Sequence, residues 1–239
     1  MNDSDIRSKF YIDDHAVLYA LLVKNAVQGF GGKGDAAAGK ATILYGRERG
    51  LRMAMRCVAD GSPLTADNYI VYGEWLDDRG WSEFRVGGYE PYELDAVVCG
   101  WNDAWVKYGL LDYGKKYCQF IDQELVRGFN PDNSFALQGT LSQGGERCRF
   151  MFDGISATSD ADSRHIGELR KKKIPYVVKD FLYHTGHVLS AFRRTYFLEF
   201  GLVKAQGVLE KTFSDYAEIF GIEKLRALQN EATLDFSTI

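Results

Sequence analysis

Four short stretches of this chain alternate apolar with polar residues, and they come as two pairs. Phe84 and Val86 alternate with Glu83 and Arg85, and Leu94, Ala96 and Val98 with Glu93 and Asp95. Further on, Phe135, Leu137 and Leu141 alternate with polar or small residues, and Cys148, Phe150 and Phe152 with Arg147, Arg149 and Met151. A period of two sends successive side chains to opposite faces of a strand. The turn residues Gly87-Gly88-Tyr89-Glu90-Pro91 separate the first pair and Gly144-Gly145 the second, so each pair is expected to form an antiparallel hairpin. The pattern predicts an α+β fold: an antiparallel sheet of about four strands whose apolar face is packed by helices from both termini. Because strands and helices interleave, the expected organisation is a single α+β domain over residues 1–239.

The helices read from period and punctuation. Asp13 or Asp14 caps a first helix with Ala16, Val17, Ala20, Leu21 and Val27 on its apolar side, and Gly29-Phe30-Gly31-Gly32 ends it. A second helix is expected from about Asp35 to Ala59, weakened by Gly39, Gly46 and Gly50, which either mark close approach to another helix or are simply tolerated. On its face, Arg47, Arg49, Arg52 and Arg56 read mainly as surface residues, though arginines can also meet a carboxylate ligand. Tyr113 to Phe129 reads as one helix with Gly114, Cys118, Ile121, Leu125 and Phe129 on an apolar stripe, stopped by Gly128 and Asn130-Pro131. The polar segment 153–174 is expected as a mobile linker or lid. Beyond it, Pro175 begins a long helix that Gly201 closes, and a last helical region is broken at Gly221. His15 precedes Phe30-Gly31 by about as many residues as His187 precedes Phe200-Gly201, too faint an echo to support a duplication.

Composition sets the limits. With 239 residues, 46% hydrophobic and 26% charged, the chain suits a globular protein with a substantial core. A net charge of -4 offers no footprint for nucleic acid, and no apolar run approaches a membrane helix. The polar amino terminus does not read as a signal peptide, which points to the cytoplasm. The four cysteines lack a CxxC pair and match no metal-binding spacing, so reduced thiols, no metal and no cofactor are expected. Expected partners are a small-molecule substrate and, at most, a second copy in a homodimer.

Asp122 falls inside the apolar stripe that carries Cys118, and a carboxylate there must be paired, hydrogen-bonded or neutralised. An ionised Asp122 one turn from Cys118 would suppress its thiolate, so the pair alone makes a poor nucleophile. Asp122 serves more naturally to bind a cationic amidine or to activate water. Cys148 lies on the apolar face of the second hairpin. His184 and His187, three apart on one helix face, are the histidines best placed to assist. The candidate catalytic set is therefore Cys118, Asp122, Cys148, His184 and His187, with Cys99 and Tyr117 lining the substrate. Cys57 is assigned to the core.

Three segments carry a family resemblance: residues 47 to 75 (RERGLRMAMRCVADGSPLTADNYIVYGEW), 108 to 131 (YGLLDYGKKYCQFIDQELVRGFNP) and 141 to 152 (LSQGGERCRFMF). Their Tyr117-Cys118-xxx-Asp122 element, the following Gly128 to Pro131, and the Gly145-xx-Cys148-x-Phe150 ending resemble the L-2-amino-thiazoline-4-carboxylic acid hydrolase family. One departure is at Cys99-Gly100, where a proline would be expected after the cysteine. The resemblance implies that water opens a small sulfur and nitrogen heterocycle to give N-carbamoyl-L-cysteine. The last hairpin also resembles the tail of ligand-binding domains of the vinyl-reductase type, which implies the alternative of a non-catalytic small-molecule sensor or carrier.

Overall fold

A computed structural model of the protein describes residues 3–237. In chain order its elements are α1 (Asp3–Arg7), α2 (Ile12–Ala59), α3 (Ala66–Val71), β1 (Ser82–Tyr89), β2 (Tyr92–Cys99), α4 (Gly100–Lys107), α5 (Leu111–Gly114) and α6 (Ile121–Phe129). They continue with β3 (Phe135–Gln138), β4 (Cys148–Phe152), α7 (Asp160–Val177), α8 (Phe181–Phe200), α9 (Leu202–Phe220) and α10 (Ile222–Glu231). The chain forms two compact units, each assembled from separated segments. Met1–Tyr45, Gly100–Phe120 and Asp180–Asp235 make the first; Gly46–Cys99, Ile121–Lys179 and Phe236–Ile239 make the second.

The first unit is helical. Helix α2, whose amino-terminal part belongs to it, bends at Gly31, whose φ of 55° is open to glycine and strained for other residues. The two arms run back along each other: the Tyr19 hydroxyl meets Thr42 at 2.7 Å, and His15 meets Tyr45 at 3.1 Å. Near the bend the arms touch so closely that a Cβ on Gly34 would stand 2.0 Å from the Ala26 carbonyl oxygen. The Gly29 to Gly32 punctuation thus marks a helical hairpin. A second reversal at Gly201 joins α8 to α9, and Phe30 stacks on Phe200 with centroids 4.3 Å apart. Tyr19, Phe192 and Tyr196 are fully buried between these helices. Arg7 ties α1 to the α8 cap residue Asp180 at 2.9 Å and to Glu231 of α10 at 2.5 Å.

The second unit contains a four-stranded antiparallel sheet in the order β1-β2-β4-β3. Its register follows the alternation: Ala96, Leu94 and Tyr92 stand opposite Cys148, Phe150 and Phe152, while Leu137 and Phe135 stand opposite Phe150 and Phe152. These residues share one face. Tyr69 of α3 covers the Phe152 end, with ring centroids 5.7 Å from Phe152 and 5.8 Å from Phe129 of α6. The opposite face is charged: Arg149 forks onto Asp95 at 2.8 and 2.9 Å, which holds that carboxyl below its usual range.

Four local expectations are corrected. Gly87, Gly88 and Tyr89 belong to β1, because Gly88 pairs with Glu93 and Tyr89 with Tyr92, leaving Glu90-Pro91 as the turn. Leu141 belongs to a 3-10 turn, not a strand. The polar segment 153–174 is helical for most of its length. Ser159 caps α7 in a box with Asp162, and Arg170 donates to the carbonyls of Ile70, Gly73 and Trp75, so polar contacts replace an apolar stripe. Pro175 therefore lies inside α7, and Asp180 caps the next helix.

The fourth correction concerns Tyr113 to Phe129, which is not one helix. It comprises the end of α5, a 3-10 turn at Tyr117–Gln119, and α6. Lys115 and Lys116 keep αR backbone angles, and the chain leaves them at Phe120, whose φ is -131°. Cys118 stands in the 3-10 turn and Asp122 begins a separate helix.

Candidate active site

Asp122 owes its position to glycine. Gly50 of α2 faces the backbone of α6 so closely that a Cβ would fall 2.1 Å from the Leu125 carbonyl oxygen, and Gly128 of α6 returns the contact at 2.4 Å from the Arg47 carbonyl oxygen. With Gly46 against Ile121 and Glu124, this is close approach to another helix, one of the two readings the glycines allow. It brings the first turn of α6 beside the part of α2 that carries Arg49. Asp122 is half-buried there. Burial pushes its carboxyl up to about 6, and the charge of Arg49 is the one influence that opposes the rise.

The other groups tied to Asp122 within this unit come from two further elements, α3 and β4. Tyr69 lies near enough that the Asp122 charge, after burial, raises its hydroxyl pKa. Cys148 is buried on the apolar sheet face, where its sulfur accepts the Leu141 N–H at 3.3 Å. Burial pushes its thiol up, the Leu141 hydrogen bond pulls it down, and Asp122 adds to the rise. Cys148 is thus held as a thiol, suited to lining a site and ill suited to attack. Cys57, in the core as expected, is pushed up to about 11 by burial and Asp60. Cys99 ends β2 and is half-buried.

Behind Arg49 lies a charge network that the sequence reading placed at the surface. Arg49 and Arg52 are fully buried, Arg56 nearly so, and all three converge on Glu74, itself fully buried. Arg52 forks onto the carboxylate at 2.7 and 2.8 Å, Arg56 reaches it at 2.6 Å, and Arg49 lies 3.4 Å away with its guanidinium over the Trp75 ring. Burial alone would raise the Glu74 carboxyl, but Arg52, Arg49 and Arg56 outweigh it and hold the group at about 2. Arg47 alone keeps the expected exposure, paired with Glu124 at 2.6 Å. The overlooked signal was spacing: Arg49, Arg52 and Arg56 fall on the helix face that also carries Met53 and Cys57, a buried face.

The remaining candidates belong to the first unit. His184 and His187 are both fully buried in α8, and His187 meets the Tyr45 ring edge-on with centroids 4.8 Å apart. His15 meets the same tyrosine. An indole N–H can only donate, so Trp101 Nε1 gives its proton to His15 Nδ1 at 2.9 Å, and the ring proton of neutral His15 sits on Nε2, facing the Tyr45 hydroxyl at 3.1 Å. Tyr117 is buried in the same aromatic cluster, 4.9 Å from Tyr19 and 5.8 Å from His15 between centroids. Cys118 is half-buried, and its charge adds to the burial that raises the Tyr19 hydroxyl. His15, which the sequence suggests is a partly exposed residue near a helix start, is fully buried, and the sequence reading passed over Tyr45 and Trp101; the arms of the α2 hairpin are what bring His15 and Tyr45 together.

Among the described residues, no group of three or more His, Cys, Asp or Glu is placed to hold a metal ion, and no helix is long and apolar enough to cross a membrane. No curated protein and no solved structure matches the chain. The family model described as L-2-amino-thiazoline-4-carboxylic acid hydrolase matches residues 12–152, more than half of the chain. That span holds Arg49, Glu74, Cys118, Asp122 and Cys148, and it ends before His184 and His187. By this match the chain belongs to the L-2-amino-thiazoline-4-carboxylic acid hydrolase family.

Proposed function

We propose that the protein hydrolyses a small cyclic amidine carboxylate of the 2-amino-thiazoline kind, with Asp122 as general base. The carrying observation is the Asp122 carboxyl itself, raised to about 6 by burial and opposed by Arg49. A base whose pKa lies just below neutrality is ionised at pH 7 yet still takes a proton effectively. In this reading water adds to the amidine carbon while Asp122 takes its proton. The second water proton passes to the ring nitrogen, the ring carbon–sulfur bond breaks, and the sulfur leaves with the proton held by Asp122 as a thiol. The water oxygen becomes the carbonyl of the N-carbamoyl product. Cys148, kept as a thiol, lines the apolar wall.

The test is thiol release from L-2-amino-thiazoline-4-carboxylate and related cyclic amidine acids. Asp122→Asn is expected to lower turnover by ~10² or more, and Arg49→Met to move the acid limb of kcat/KM to higher pH. Release of thiol at the parent rate by Asp122→Asn would rule out the base.

A second reading, as a binding module without catalysis, has one observation in its favour. Phe84, on the sheet face shared with Leu94 and Phe150, is 51% exposed. If binding is the function, apolar ligands raise the melting temperature and no product forms.

A further inference from the structure

We propose that Glu74 is a positioning residue for the Asp122 site: it draws the Arg49 guanidinium toward itself and thereby sets how strongly that cation acts on Asp122. The two carboxylates compete for one guanidinium. Arg49 stands 3.4 Å from Glu74, a loose contact beside the 2.7 and 2.6 Å contacts of Arg52 and Arg56. Its orientation is fixed by the Trp75 ring, 4.7 Å from the guanidinium carbon. The peptides around Glu74 are pinned as well. Lys179 N–H donates to the Glu74 carbonyl at 3.2 Å, and Arg170 donates to the carbonyls of Gly73, at 2.8 Å, and Trp75. The Glu74 carboxylate is thus a fixed, buried negative charge, and Arg49 is the member of its cluster that also acts on Asp122.

Arg49 of α2 acts on Asp122, and Asp122 in turn acts on Tyr69 of α3 and Cys148 of β4. Of these, only Arg49 carries a charge at neutral pH. Without Glu74, Arg49 would bear fully on Asp122 and weaken it as a base. Without Arg49, Asp122 would keep its proton to higher pH. Three guanidiniums for one internal carboxylate therefore divide the labour: Arg52 and Arg56 neutralise Glu74 at short range, leaving Arg49 shared.

This inference rests on Asp122 as the working carboxylate, but its first readout needs no substrate. The full chain is labelled with 13C at the aspartate carboxyls, and the Asp122 signal is assigned by its loss in Asp122→Asn. Its titration is then followed by NMR. Glu74→Gln is expected to lower the Asp122 midpoint by about one pH unit, and Arg49→Met to raise it. Arg52→Met is expected to raise it too, because Glu74 then draws harder on Arg49. In the Arg49→Met background, Glu74→Gln should have no effect.

A folded Glu74→Gln protein with the parental midpoint, or the same shift with and without Arg49, would overturn the proposal. Should Glu74→Gln not fold, Glu74→Asp, which keeps the charge but retracts it by one methylene, carries the test with Arg52→Met. Parental midpoints in both would overturn it equally. Where turnover is observed, the acid limb of kcat/KM should move with the NMR midpoint. Midpoint shifts without any turnover would sink the hydrolase reading and uphold this one.

Discussion

Replacing Asp122 by Asn should make the protein more stable at neutral and alkaline pH, and the gain should vanish in acid. An unfolded aspartate titrates near ~3.9, whereas burial lifts Asp122 in the native state to about 6. Between these values the native state holds a proton that the unfolded state has released, so stability falls as pH rises through the window. Above about pH 6 the full cost is present. A difference of roughly two units at ~1.4 kcal/mol each gives about 3 kcal/mol as a ceiling, and since the side chain is half-buried the realised value should be ~1–2 kcal/mol. Asn keeps the shape and removes the charge. Urea unfolding of parent and variant, followed by circular dichroism from pH 4 to pH 8, should show equal stability near pH 4 and a growing advantage for Asp122→Asn up to about pH 7. A variant no more stable than its parent at pH 8, or a difference that does not change with pH, would refute the claim that burial of this charge governs the site.

Gly50→Ala should destabilise the protein by ~1–3 kcal/mol and lower any turnover, because its Cβ would meet the Leu125 carbonyl oxygen and push α6 away; melting curves and activity read both effects. Phe152→Ala should cost about 3–5 kcal/mol, since its ring fills the space between Tyr69 and Phe135; chemical unfolding measures it. Cys57 and Cys148 should resist iodoacetamide at pH 7.5 in the native state, since burial disfavours both thiolates; peptide mapping by mass spectrometry after a timed pulse would reveal early labelling if that is wrong.

The sheet was legible because its signal is local. Alternation and turn residues place Phe84, Leu94, Phe135 and Phe150 on four strands, and the same alternation puts their side chains on one face, as the register confirms. The α2 hairpin was legible for a similar reason, a glycine cluster where the chain must adopt φ of 55°. Segment 153–174 misled because its stabilising partners are polar. A capping box and an arginine bonded to three carbonyls leave no apolar periodicity to read. The helix through Cys118 misled because apolar periodicity continues across Phe120, where the backbone leaves αR angles and α6 starts afresh.

Of the candidate site, the burial of Asp122 was legible and its charged surroundings were not, for one physical reason. Asp122 announced itself as a carboxylate among apolar residues, and its raised pKa follows from burial, which a sequence can suggest. What tunes it is Arg49, and what restrains Arg49 is Glu74, residues joined to Asp122 only through helix packing and a buried charge network. Arginine on a helix is usually solvated, so the bland reading of Arg49, Arg52 and Arg56 followed the base rate. Glu74 supplies the reason it failed. A guanidinium leaves water when a carboxylate waits at hydrogen-bond distance, and here one carboxylate gathers three. Such a cluster is costly to bury for stability alone. In the proposed site its placement beside Asp122 gives that cost a chemical purpose: the buried charges set the field in which Asp122 gains and loses its proton.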